Sequence, residues 1–270
     1  MNLPGKAPVV GTPISLTSYD EMLDLLDQRS GDGAIVVAVC NVHSVMSARG
    51  NPDLARALNS AHVATPDGVP IVWTLRRTAN PGQQRVYGPD LMERAFAESG
   101  GRDWRHYLYG STPETLAMLE ERIATVAPNA DIVGSYSPPF RPPTPEEDAA
   151  DAARILSTGA NIVWVGLGMP KQELWMHRVA PQLPGTVVLG VGAAFDFLAG
   201  VTKQAPPWMQ RAGLEWLFRL SQEPRRLWRR YVWNNPAFAA MATLQILRSK
   251  RRRTAIDANV GANHPPAPDE

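Results

Sequence analysis

Asp67, in the run Thr65-Pro66-Asp67-Gly68, is a carboxylate directly after a short apolar stretch. There it serves either as the cap of a following helix or as a general base beside a ligand at a strand end. Its two oxygens could divide those tasks. Asn41-Val42-His43 follows a second apolar run. Small amides and imidazoles at strand ends commonly line ligand sites, and a turn capped by Asn41 accounts for it equally well. Arg85 precedes the tight turn Tyr87-Gly88-Pro89-Asp90. A guanidinium there can hold phosphate in a fork, while Asp90 reads as a helix cap.

Glycine turns supply the remaining candidates. Gly110, in Tyr109-Gly110-Ser111-Thr112-Pro113, opens a turn before a helix start, a generic anion cradle. In Gly166-Leu167-Gly168-Met169-Pro170-Lys171-Gln172-Glu173, Gly168 permits close backbone approach, and Lys171 or Gln172 can face a diphosphate or a base. Asp196 follows Gly190-Val191-Gly192-Ala193-Ala194-Phe195 and is either a ribose contact or a turn cap. Neither the G-x-x-x-x-G-K-[ST] phosphate loop nor the G-x-G-x-x-G dinucleotide fingerprint occurs. No D-x-D motif occurs, and His43, His62, His106, His177 and His264 lack metal-site spacing, so no metal is expected. None of the six tyrosines has a lysine four residues later, which disfavours a nucleotide-sugar epimerase or dehydrogenase.

The elements that must position these residues alternate. Residues 35–39 are continuously apolar and β-branched, as in a buried parallel strand. Further strands are expected over 62–65, 104–109, 130–133, 161–165 and 187–191. Helical patterns lie between them over 52–60, 68–77, 90–99, 113–126, 146–157 and 170–180, with another over 21–29. Residues 1–17 read as a Pro/Gly-rich lead-in, and 137–145, with five prolines, as a stiff loop. Helices between apolar strands predict an α/β fold with a parallel sheet covered on both faces and chemistry at the strands' carboxyl ends. Strand order is not given by this pattern. The single cysteine, Cys40, ends an apolar run and reads as a buried thiol.

After residue 205 the character changes. Residues 208–253 hold eleven Arg or Lys against two acids, Glu215 and Glu223, although the whole chain carries a net charge of only +1. The expected domains are a core over 1–205, a basic amphipathic appendage over 206–253 and a disordered tail over 254–270. Helices are expected over 208–219, 224–233 and 236–247. Interleaved Trp, Leu and Phe suit this appendage to an anionic membrane surface, and the overall charge argues against nucleic acid. Packing between copies of the chain is a rival use of the apolar stripe. No signal peptide and no run of about twenty apolar residues is visible, so a cytoplasmic protein peripheral to the membrane is expected.

Asn41 with Asp67, Arg85 through Met92, Pro139-Phe140-Arg141-Pro142 and Gly166 through Glu173 together resemble the WecG/TagA/CpsF glycosyltransferases. Gly213 through Leu220 and Glu223 through Leu227 match as well, and the likeness runs in order over residues 12–231. It implies a Rossmann-like core with a helical, arginine-rich appendage reaching over the active site to the inner face of the cell membrane. It implies inverting, metal-independent transfer of N-acetylmannosamine, its uronic acid or another hexose from a UDP-sugar. The implied acceptor is a polyprenyl-diphosphate-linked saccharide of the cell envelope, such as an exopolysaccharide precursor. Carried over by motif, the catalytic aspartate is Asp67, the core arginine Arg85, and the conserved amides Asn41 and Gln172. The appendage arginines are Arg219, Arg226 and Arg229. Where the family often has threonine two residues before the asparagine, this chain has Val39. A non-catalytic, membrane-associated binder of sugar nucleotides or lipids is the alternative, and it would have no need of Asp67.

Overall fold

In the computed structural model, which describes residues 3–262 and side chains as far as Arg251, the sheet holds the expected strands. A hairpin comes first, β1 (Lys6–Val9) and β2 (Thr12–Ser15), paired antiparallel. Then follow α1 (Tyr19–Leu25), β3 (Ile35–Cys40), α2 (Val42–Gly50), α3 (Pro52–Ser60) and β4 (Val63–Pro66). Next come α4 (Val69–Thr78), α5 (Gly88–Ala97), β5 (Arg105–Gly110), α6 (Pro113–Val126) and β6 (Asp131–Tyr136). The core ends with α7 (Pro145–Ser157), β7 (Ile162–Gly166), α8 (Lys171–Val179), β8 (Val187–Gly190) and α9 (Ala194–Leu198). The appendage is α10 (Pro207–Arg211), α11 (Glu215–Gln222) and α12 (Pro224–Ala262).

Six strands form one parallel sheet in the order β4-β3-β8-β7-β5-β6. β3 and β8 lie side by side although the chain between them builds both flanks. That is the strand-order reversal where doubly wound sheets open a crevice at their carboxyl edge. The strands are apolar on both faces because helices cover both: Val36, Ala38 and Cys40 enter one core cluster, and Ile35, Val37 and Val39 the other. Cys40 is fully buried. The sheet is therefore Rossmann-like, as expected.

Three local expectations need correction. The lead-in is a hairpin, pinned where Ser15 Oγ accepts from Ala64 N. Residues 208–219 are two helices, because Gly213 takes a positive φ of +73°, and a Cβ there would come 3.2 Å from Val69 Cγ1. Residues 224–247 are one helix that carries Pro236 inside it. A proline removes one backbone hydrogen bond, but Leu227, Tyr231, Phe238 and Ala242 are all buried along one stripe, and that burial carries α12 across it. Phe238 and Ala242 belong to the same apolar cluster as Val45 and Ile71, so α12 completes the core as well as extending from it. Its backbone continues to Ala262, past the expected end at 253, and residues 263–270 of the expected tail lie outside the described residues.

Candidate active site

The carboxyl ends of β3, β4, β7 and β8 form the floor of a cleft of ≈ 940 Å³, roofed by α11 and the first half of α12. Asp67 sits on this floor, only 8% exposed. It is not a helix cap: Gly68 is the N-cap of α4 and no side chain caps there. Its backbone N–H donates to Cys40 O at 3.0 Å, which fixes it against the end of β3. Arg85 grips it twice, Nε donating to its carbonyl oxygen and Nη2 to Oδ1, the latter at 3.1 Å. The second carboxylate oxygen has no partner among the described residues, which leaves it for a ligand hydroxyl.

The same Arg85 Nη2 donates to Glu215 Oε2 at 2.8 Å, and Tyr87 Oη donates to Glu215 Oε1 at 2.8 Å. A guanidinium held between two carboxylates is itself a firm charge: burial would lower its pKa, but Asp67 and Glu215 push it up. Burial pushes the Asp67 carboxyl up to about 6, with Arg85 opposing and Glu215 adding to the rise. A carboxylate tuned to that range can hold and release a proton near neutrality.

Asn41 caps α2, its Oδ1 accepting from His43 N at 2.9 Å and Ser44 N at 3.3 Å. The cap is therefore present, and the capped turn also lines the cleft. Gly168 lines it too, with a positive φ of +74° and open space where a Cβ would stand. Gln172 lies under β8. A Cβ on Gly190 would be 3.0 Å from its Nε2 and one on Gly192 3.2 Å from its Oε1, so these two glycines make room for the amide. Gln172 Nε2 donates to Glu173 Oε1 at 3.0 Å, and burial raises the Glu173 carboxyl to about 7. Val39 faces the cleft with no hydroxyl to offer. Beside it in register, Thr65 holds a buried hydroxyl without a partner.

Across the cleft, burial raises the pKa of Asp196, with Arg219 and Arg226 opposing. Arg219 stacks 5.5 Å from the Phe197 ring, and its Nε is buried without a partner. Arg226 is held by Glu223, Nη2 to Oε1 at 2.7 Å. Asp67, Asn41, Arg85, Gly168, Gln172, Asp196, Arg219 and Arg226 thus share one cleft. Three candidates stand apart from it. Gly110 packs on β7, where a Cβ would meet Gly166 C at 2.7 Å, and the neighbouring Ser111 and Thr112 reach the cleft instead. Lys171 Nζ lies 5.9 Å from the Phe140 ring, and Arg229 lies 5.3 Å over the Trp228 ring.

Sequence reasoning passed over Tyr87 and Glu215 as site residues, and Arg230, which also lines the cleft. One signal was visible: Glu215 is one of two acids in an otherwise basic segment. Among the described residues, no group of three or more His, Cys, Asp or Glu is placed to hold a metal ion. No helix among them is long and apolar enough to cross a membrane. The family model described as "Glycosyl transferase WecG/TagA/CpsF family" matches residues 7–252.

Proposed function

Since this chain belongs to the WecG/TagA/CpsF glycosyltransferase family, we propose that it moves a hexose from a UDP-sugar onto a polyprenyl-diphosphate-linked saccharide, inverting the anomeric centre. The observation that carries this reading is the placing across one cleft of a buried carboxylate, Asp67, whose side chain is bonded through Oδ1 to Arg85, and of Arg219, whose Nε is buried without a partner among the described residues. The acceptor hydroxyl attacks the anomeric carbon on the face opposite the diphosphate. Its new C–O bond forms as the bond to the UDP oxygen breaks, and Asp67 takes the hydroxyl proton. Arg85 keeps the carboxylate oriented. The negative charge that develops on the departing diphosphate meets Arg219 and Arg226, which do the work of a divalent cation. The donor sugar is of the N-acetylmannosamine, uronic acid or glucose class.

The site of action is the inner face of the cell membrane. Trp208, Trp228, Val232, Trp233, Leu244 and Leu247 are exposed on the appendage among its arginines, the pattern of an interfacial helix. The deciding experiment measures transfer from a panel of UDP-sugars to a polyprenyl-diphosphate-linked acceptor. One member of the panel should be used, and Asp67→Asn should lower kcat at least about 100-fold. An Asp67→Asn enzyme that keeps near-wild-type kcat overturns the assignment of the base.

A further inference from the structure

The helix α4 buries Ile71, Val72, Thr74 and Leu75 and leaves Trp73 outside that set. Trp73 is 53% exposed, yet it lines the cleft. Among the described residues it stacks on no ring and lies under no cation. A large apolar ring left wet on a helix beside a cleft calls for a ligand more than a solvated polar side chain would. Trp216, the other tryptophan of the cleft lining, is already tilted against Tyr231, with 5.7 Å between ring centroids.

Position gives the indole its meaning. Asp67 stands just past β4, the outermost strand of the parallel sheet, and Trp73 lies in the second turn of the helix that follows. Arg219 and Arg226 bear instead on Asp196 of α9, which follows β8. β4 and β8 flank β3, so they are two strand spacings apart, about 10 Å. Measured from Asp67, the arginines proposed for the leaving diphosphate lie toward β8, and Trp73 lies on the β4 side. In an inverting displacement the acceptor arrives opposite the leaving group, so the β4 side is the acceptor's.

The surroundings suit a sugar ring. Gly213, in the turn between α10 and α11, comes so close that a Cβ there would be 4.0 Å from Trp73 Cη2. Gln210 lines the same cleft, and its Nε2 donates to Ala205 O at 2.8 Å, which leaves its Oε1 as an acceptor. An apolar plane with polar groups at its margin matches a pyranose, whose C–H face is apolar and whose hydroxyls point outward. Trp208, Trp228 and Trp233, exposed on the appendage, do not line the cleft, so Trp73 stands apart from the rings assigned to the membrane.

We infer that Trp73 is the stacking platform for the acceptor's sugar ring, holding it so that one hydroxyl meets Asp67. This rests on the transfer reading above and places a specificity-determining residue on the core helix α4, outside the appendage.

Steady-state kinetics of the full chain test this, with the polyprenyl-diphosphate-linked acceptor in detergent so that no bilayer takes part. Trp73→Ala should raise the acceptor KM about tenfold, the scale of a lost aromatic contact, with kcat and the UDP-sugar KM within about twofold of wild type. Trp73→Phe keeps a plane and should recover most of the loss. Trp73→Leu keeps apolar bulk without a plane and should not. An unchanged acceptor KM in Trp73→Ala, a UDP-sugar KM that rises as much, or a leucine variant as good as the phenylalanine one overturns the inference. Lost flotation of Trp73→Ala with anionic liposomes would make Trp73 a membrane contact and overturn it too. A wild-type chain that transfers no sugar overturns the transfer reading itself.

Discussion

Arg85 and Glu215 meet at 2.8 Å across 130 positions of sequence, one on the floor of the cleft and one on its roof. The contact places a second negative charge near Asp67 and ties the appendage to the proposed base. Both effects are measurable.

Glu215→Gln removes the charge that helps hold the Asp67 carboxyl at about 6. A base must be deprotonated to act, so wild-type kcat/KM falls as pH drops through about 6. In the variant Asp67 loses its proton more readily, and the acid limb moves to lower pH. A pH–rate profile checks this, and an unmoved limb would show that Glu215 has no electrostatic hold on Asp67.

Transfer should survive chelation. Arg219 and Arg226 line the cleft, and on the proposed mechanism they meet the charge of the leaving group, so EDTA should leave the rate within about twofold. Complete loss in EDTA, restored by Mg²⁺ or Mn²⁺, would reject side-chain stabilisation.

Glu173 should make the fold pH-sensitive. Its carboxyl is buried with no cation paired to it among the described residues, and burial lifts its pKa from the ordinary 4.5 to about 7. Between those values the folded chain keeps a proton that the unfolded chain has released, so stability is present below about 4.5 and declines as pH rises to about 7. The slope is about 1.4 kcal/mol per pH unit, a few kcal/mol in all. Glu173→Gln should flatten the decline and melt higher than wild type at pH 8. Parallel melting curves for the two proteins would exclude this source.

Membrane attachment is tested by Trp228→Ser with Trp233→Ser. Both rings are exposed, at 46% and 74%, so their loss spares the core. Flotation with anionic liposomes should fall sharply while thermal stability is unchanged. Truncation of α12 cannot serve, because it would also remove Phe238 and Ala242 from the main cluster. A doubly substituted protein that floats like wild type would assign these tryptophans elsewhere.

The sheet was legible because each of its strands is a short apolar run between turn residues, and burial on both faces imposes that pattern. Strand order was not, since a repeated strand-helix alternation is compatible with several windings. β1 and β2 hid behind Pro4, Pro8 and Pro13, which read as loop. Pro236 suggested a break that the burial of Phe238 overrides. Of the site, Asp67, Asn41, Arg85 and Gln172 were visible because turn chemistry marks strand ends locally. The Arg85–Glu215 contact and the choice between Arg229 and Arg230 were not. The first depends on folding α11 over the sheet, and the second on how α12 is rolled about its axis.

That roll is set by Gln245. Its Nε2 donates to Pro8 O at 2.6 Å and its Oε1 accepts from Val10 N at 2.8 Å, so one side-chain amide pairs with the hairpin as a further strand would. The second tether, Asn234 on His43, lies eleven residues earlier, about 16 Å along the axis. A rod pinned at two points by directional bonds can neither spin nor pivot freely. It behaves as a keel: whatever plane the exposed side of α12 settles on, the carboxyl edge of the sheet takes a fixed heading relative to it, and a substrate arriving along that plane meets the cleft from one side only.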